Sequence, residues 1–163
     1  WQSQQKLSPK QRERGLKLLR LASLLQYTLP GVPCLYYGDE AGMEGYRDPF
    51  NRRTYPWGRE DPALLDWYRT LGEIRRECPA LRESGMVPYL AEGDYFAFLR
   101  MGHRNKLLVA VNRSAGEREL EIPSDWSQIK ALLGPSPVNG RIHLGPYGYS
   151  LVLSEEDPEK EEA

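Results

Sequence analysis

The chain has 163 residues, enough for one domain or two small ones. Its 22 Lys and Arg residues nearly balance 23 Asp and Glu residues, and the net charge of −1 argues against a nucleic-acid binder driven by a basic surface. No apolar run approaches the roughly 20 residues that span a bilayer. Two cysteines and two histidines leave little for a disulfide scaffold, a zinc site or a histidine-based triad. We therefore expect no nucleic-acid or membrane partner, no metal and no cofactor, and the unpaired cysteines favour a cytoplasmic location.

The first predicted element is a helix that starts at Pro9. Ser8 can cap it, Pro9 suits the first helical position, and Gln11 completes a capping box. Apolar side chains then cover more than one stripe of the helix, which indicates burial against a larger body. Pro30 disfavours helical geometry at the residue before it, so the helix should end there.

A short apolar run, VPCLYY at residues 32–37, follows a Pro-Gly turn. Because it does not alternate between apolar and polar residues, it is typical of a parallel strand buried on both faces. The sequence therefore predicts a helix–strand unit of an α/β fold, with Cys34 as a small core residue. Asp39 and Glu40 follow this strand. Neighbouring side chains in a strand point to opposite faces, so they make a poor pair for acid–base chemistry, and we expect a structural role at the strand end.

Residues 41–62 form a long predicted loop rich in Tyr, Trp, Arg and Asp. Loops this long are often functional, and these side chains suit a polar ligand. Asp48 and Arg52 lie four residues apart after the predicted strand, at the end where ligands bind in parallel α/β folds. The carboxylate can accept from hydroxyls and the guanidinium can donate, although a salt bridge within the loop fits the spacing equally well. Tyr46 and Trp57 are candidates for stacking against a ligand.

A second helix should begin with Asp61 as cap and Pro62 in the first turn, and Pro79 should end it. From residue 86 onward, short runs rich in β-formers alternate with turn residues, which predicts an antiparallel β-sandwich. These runs are residues 87–91, 95–100, 106–111, 118–122, 129–133, 141–144 and 149–153.

The predicted division of the chain has three parts. Residues 1–84 form the α/β portion and residues 85–154 form the sandwich. Residues 155–163 are dominated by Asp and Glu and are interpreted as an acidic disordered tail.

The segment TLPGVPCLYYGDEAGM at residues 28–43 closely resembles the eighth barrel strand of the α-amylase family, glycoside hydrolase family 13. Its continuation, EGYRDPFNRR at residues 44–53, is similar to the neopullulanase, cyclomaltodextrinase and maltogenic amylase group. The resemblance is strong over residues 9–82, and the predicted sandwich resembles the C-terminal β-domain of that family. It implies a fold of the α/β plus all-β class, in which the final helix–strand–helix portion of a TIM (β/α)8 barrel precedes an antiparallel β-sandwich.

The resemblance also implies an activity. Members of this family are retaining hydrolases, and this group acts on α-glucans such as maltooligosaccharides, cyclodextrins or pullulan. In the family the nucleophile Asp, the acid/base Glu and the stabilising Asp follow strands four, five and seven, and this chain contains none of their motifs. Since the chain also starts with Trp1, we expect it to be the C-terminal part of a longer hydrolase and to be inactive alone.

Asp48 and Arg52 resemble the family's pair that hydrogen-bonds glucose units on the non-reducing side of the cleavage point. Arg47 and Tyr46 are further substrate-binding candidates, and Asn51 stands where the family often has Cys. Two alternatives remain open: a non-catalytic carbohydrate-binding or interaction module, and a degenerate homologue kept for scaffolding. The exposed edges of an incomplete barrel should also cause self-association of the chain.

Overall fold

The computed structural model describes residues 6–103 and 105–155. Within these ranges the chain forms helices α1 (Pro9–Thr28), α2 (Pro62–Glu77) and α3 (Ala80–Glu83). The strands are β1 (Met86–Glu92), β2 (Tyr95–Met101), β3 (Asn105–Asn112), β4 (Arg118–Glu121), β5 (Ile129–Leu133), β6 (Arg141–Leu144) and β7 (Tyr149–Glu155). No helix in the described part of the chain is both long and apolar enough to cross a bilayer.

Local sequence signals fix the ends of both long helices, as predicted. The Ser8 hydroxyl accepts from the N–H of Gln11 at 3.4 Å, and the Gln11 side chain accepts from the N–H of Ser8 at 2.9 Å, so the capping box is formed. The Asp61 carboxylate accepts from two first-turn amides of α2. Helix α1 ends two residues before Pro30, and α2 ends two residues before Pro79.

The predicted buried strand at residues 32–37 is wrong. This segment has no strand pairing, Val32 is 92% exposed, and Cys34 is exposed rather than part of a core. A strand exists only when a neighbouring strand satisfies its backbone N–H and C=O groups, and the described residues offer no parallel neighbour. The segment instead lies at the surface without regular secondary structure, and several of its apolar side chains are exposed.

The predicted sandwich is confirmed as two antiparallel sheets. One has five strands in the order β1-β2-β3-β7-β5, and the other pairs β4 with β6. Each predicted run forms a strand, with ends that agree to within two residues. Strand β7 extends through Glu155, where the acidic tail was predicted to begin, and residues 156–163 of that tail lie outside the described residues.

Strand β3 lies at the centre of the fold and is buried on both faces. Leu107 and Val109 join a core with Leu24 of α1 and with α2 and α3, whereas Leu108 and Ala110 join a second core against β4 and β6. This division follows from the alternation of side chains along a strand. The helices, the five-stranded sheet and the small sheet therefore form three layers, and the first core joins the helical part of the chain to the sandwich.

A buried arginine lies where these layers meet. Arg100 of β2 is 1% exposed, and its guanidinium donates to the carbonyls of Thr28, Leu81, Ser84 and Gly85. The bonds to Gly85 and Leu81 are 3.1 and 3.0 Å long. Burial lowers the pKa of Arg100. The side chain thus connects the end of α1, helix α3 and the first residues of the sandwich.

Candidate functional site

The long predicted loop between residues 41 and 62 is present, and it is closed at its base. The N–H of Asp61 donates to the carbonyl of Ala41 at 3.1 Å, so the two ends of the loop meet. The loop is entered through a tight turn in which the N–H of Met43 donates to Gly38 at 2.9 Å. Gly38 has a φ of 94°, and a Cβ there would lie 2.4 Å from the sulfur of Met43, so only glycine fits this turn without displacing that side chain.

The structure brings Asp48 and Arg52 together. An Arg52 Nη2 lies 2.6 Å from Asp48 Oδ1, and the two side chains are 62% and 66% exposed respectively. Two short turns hold the backbone between them, with N–H to C=O distances of 2.9 Å from Phe50 to Arg47 and 3.1 Å from Arg52 to Pro49. The salt bridge within the loop is therefore formed. Its exposure leaves the remaining lone pairs of the carboxylate and N–H groups of the guanidinium accessible to a ligand.

The two weaker candidates differ in their surroundings. Tyr46 is half-buried, and the guanidinium carbon of Arg53 lies 5.9 Å from its ring centroid, within the range of a cation–π contact. Arg47 is exposed and contributes its backbone carbonyl to the turn. Tyr46 is thus engaged inside the loop, while the Arg47 side chain faces solvent beside Asp48.

Two tyrosines that sequence reasoning assigned to a buried strand instead anchor this loop. The Tyr37 hydroxyl donates to the carbonyl of Arg53 at 2.8 Å, and the Tyr36 hydroxyl donates to that of Asn51 at 3.4 Å. These bonds fix the backbone on both sides of Arg52. The signal that could have indicated this role is the polar end that tyrosine adds to an apolar run.

Trp57 stands out from the loop with 81% of its surface exposed. Its ring lies 4.5 Å from that of Tyr55, at an angle of 52°. A turn in which the N–H of Arg59 donates to Pro56 at 2.8 Å holds this pair in place. Trp57 therefore offers an accessible aromatic face, as a stacking role requires.

Asp39 and Glu40 form an acidic cluster at the start of the loop. Glu40 Oε2 accepts from the N–H of Gly38 at 2.8 Å, so this side chain stabilises the turn that enters the loop rather than the end of a strand. Burial and the charge of Glu40 raise the pKa of Asp39, and burial raises the pKa of the adjacent Tyr68 to about 12. Within residues 6–103 and 105–155, no group of three or more His, Cys, Asp or Glu side chains is placed to hold a metal ion.

We expect Asp39→Asn to stabilise the chain at pH 7. Because the folded state raises the pKa of Asp39, it favours the protonated carboxyl, and this contribution to stability is lost as the pH rises through the raised pKa. The neutral amide avoids that loss. The resulting gain in the free energy of unfolding should be less than about 1 kcal/mol, because the side chain is partly exposed. Thermal unfolding at several pH values should show a higher Tm for the variant at pH 7 and convergence below pH 3.8.

Asp125→Asn, at an exposed position, is the control for this pH series. The difference in Tm between this variant and the wild type should not change with pH. A wild-type chain more stable than Asp39→Asn at pH 7, or an unchanged difference at pH 3, would contradict the expectation.

No protein-family model matches the chain. An amylopullulanase of Thermoanaerobacter thermohydrosulfuricus is 45% identical over 89 residues, which is 55% of this chain and 6% of that protein. A cyclomaltodextrinase of Thermoanaerobacter pseudethanolicus is 34% identical over 121 residues, covering 70% of this chain and 21% of that protein. The crystal structure of an Anoxybacillus α-amylase matches with a TM-score of 0.76 at 25% identity, over 87% of this chain and 33% of that one. The chain thus spans a third or less of each of these relatives.

Proposed function

The chain belongs to the α-amylase family of glycoside hydrolases, and from this we propose that it forms the C-terminal part of a retaining α-glucan hydrolase. The observation that carries the proposal is the match of 87% of the chain to an α-amylase structure, which extends across helices and sandwich alike. The names of its relatives suggest pullulan and cyclodextrins as substrates of the whole protein, and the family resemblance adds maltooligosaccharides. The proposed reaction proceeds by double displacement through a glycosyl-enzyme intermediate.

In this proposal Asp48 and Arg52 bind glucose units of the substrate, assisted by Arg47 and Tyr46. A carboxylate can accept hydrogen bonds from two sugar hydroxyls while a guanidinium donates through its fork. An ion pair as exposed as this one contributes only about 0–1 kcal/mol. Replacing contacts within this ion pair by hydrogen bonds to sugar hydroxyls therefore costs little free energy. The hydrogen bonds of Tyr36 and Tyr37 keep the loop backbone in place when the substrate binds.

The catalytic carboxylates of the proposed hydrolase lie outside this chain, so the chain alone is inactive. The extended segment at residues 32–37 supports a barrel role, because it presents Val32, Leu35, Tyr36 and Tyr37 to solvent. We propose that this surface packs against the remainder of a TIM barrel. In its absence the surface causes self-association, which light scattering would detect as a mass above that of the 18.7 kDa monomer.

A second candidate is a non-catalytic carbohydrate-binding module. The exposed face of Trp57 favours it, since aromatic platforms bind sugar rings, and so does the core shared by the helices and the sandwich. A degenerate homologue kept for scaffolding would have neither hydrolytic activity nor a functional sugar site.

The proposed site predicts the effect of Asp48→Ala on saccharide binding. Maltotriose should bind the chain with a Kd on the order of millimolar, and the substitution should weaken binding about tenfold because a charged hydrogen-bond acceptor is lost. An NMR titration followed at the amides of residues 46–53 measures this. Asp66→Ala is the matched control, because Asp66 forms an equally exposed pair with Arg69 at 2.9 Å on α2.

The same preparation tests the proposed inactivity when it is incubated with maltooligosaccharides. Binding that depends on Asp48, without turnover, supports Asp48 as a sugar ligand and is expected of the hydrolase part and of a binding module alike. Turnover above a buffer blank would contradict its inactivity. Absence of binding, or equal binding by wild type and Asp48→Ala, would rule out Asp48 as a sugar ligand in this chain.

A further inference from the structure

A cavity of about 460 Å³ lies beside the loop but does not include Asp48 or Arg52. Its walls come from the start of α1, from the turn at residues 41–44 and from residues 53–59. Among the described residues that line it, the polar and charged ones are Lys6, Arg12, Glu44, Arg53, Thr54 and Arg59. This volume is within the range of small-molecule sites, and the walls carry four cationic side chains against one carboxylate.

That carboxylate is already satisfied by the protein. Glu44 Oε1 lies 3.2 Å from Nη1 of Arg12, and Glu44 Oε2 accepts from the N–H of Leu7 at 2.9 Å. Arg12 also donates to the carbonyl of Gly42 at 3.1 Å and lies 3.9 Å from Asp61. Arg12 and Glu44 therefore join α1 to the loop, and the Glu44 carboxylate is engaged by Arg12 and Leu7 rather than by the other cations of the cavity.

Lys6 and Arg59 line the cavity from two separate segments of the chain. Neither side chain forms an ion pair or a hydrogen bond with a residue in the described part of the chain, although the backbone N–H of Arg59 donates to Pro56. Thr54, also on the wall, is exposed and supplies a hydroxyl. Because four cationic side chains and one carboxylate line the same open cavity, their summed charge attracts an anion.

We propose that this cavity binds an oxyanion of the phosphate class, supplied as inorganic phosphate or as the phosphate ester of a sugar. Lys6 and Arg59 bind the oxyanion directly through charge-assisted hydrogen bonds, and Thr54 donates a further one. Within the described residues the lining contains no aromatic ring, so the cavity lacks the stacking face that a neutral sugar would use. This site goes beyond the proposed glucan site and is independent of it.

The test is a titration of the isotope-labelled chain at constant ionic strength, because added salt would otherwise screen the same charges. Inorganic phosphate, glucose 6-phosphate and glucose are added separately, and the amides of residues 41–44 and 54–59 are followed. We expect saturable shifts with both phosphates and none with glucose. Tighter binding of glucose 6-phosphate would identify a sugar ester as the ligand, and equal or weaker binding would identify inorganic phosphate.

Arg59→Gln should weaken phosphate binding roughly fivefold, and Lys6→Gln should have a similar effect, since each removes one charged donor. Both positions are exposed, so the fold should tolerate these substitutions. Arg69→Gln on α2 is the matched control and should leave the affinity unchanged. Non-saturable shifts, unchanged affinity in Arg59→Gln and Lys6→Gln, or glucose binding as tight as phosphate binding would overturn the proposal.

Discussion

Replacing Arg100 by methionine should lower the free energy of unfolding by about 3 kcal/mol or more. Methionine fills a similar volume but donates no hydrogen bonds, so four carbonyl groups around the guanidinium lose their donor in a buried environment. Urea unfolding followed by tryptophan fluorescence measures the change. The expected loss is a large fraction of the 5–15 kcal/mol that is typical of whole domains.

Arg69→Met is the control that distinguishes the loss of buried hydrogen bonds from the loss of a positive charge. Arg69 is exposed on α2 and pairs with Asp66, so its replacement should change stability by less than about 0.5 kcal/mol. The loss of stability in Arg100→Lys should lie between those of Arg100→Met and Arg69→Met. One ammonium group cannot reach four carbonyls with the geometry of a planar guanidinium. A loss in Arg100→Met no larger than that in Arg69→Met would show that the buried bonds contribute nothing.

Leu24→Ala should lower the free energy of unfolding by about 2–5 kcal/mol. Leu24 is fully buried on α1, in the core that α1 and α2 share with β2, β3 and β7. Removing its side chain leaves a cavity between the helical layer and the sheet. Because that core crosses the boundary near residues 84–85, the loss should appear in one unfolding transition of the whole chain.

Two further substitutions sharpen this measurement. Leu108→Ala removes an equally buried leucine from the face of β3 that points away from the helices, in the second core. It should also lower the free energy of the same unfolding transition. Val32→Ala removes apolar surface at a position that is 92% exposed and should have little effect. Two separate transitions, with Leu24→Ala acting on only one, would show that helices and sandwich unfold independently.

The candidate sugar site was predictable in part. The spacing of Asp48 and Arg52 and the composition of their loop were enough to select them, because a short separation in the chain limits how far apart two side chains can lie. The anchoring of that loop by Tyr36 and Tyr37 was not predictable, since each hydroxyl bonds a carbonyl 15 or 16 residues away. The oxyanion cavity was missed for a similar reason, because its walls come from three separate segments.

Features that depend on residues close together in the chain could be predicted from local sequence signals. The capping signals at Ser8 and Asp61 placed the helix starts, and alternation with turn residues placed the strands of the sandwich. Features that need a partner far away in the chain could not be predicted, because they form only when the chain folds. The apolar run at residues 32–37 forms no strand because backbone pairing requires a neighbour. Arg100 can be buried because carbonyls of α1, of α3 and of the residues after α3 converge on it. Local sequence patterns indicate neither whether residues 32–37 have a strand to pair with nor which carbonyls surround Arg100.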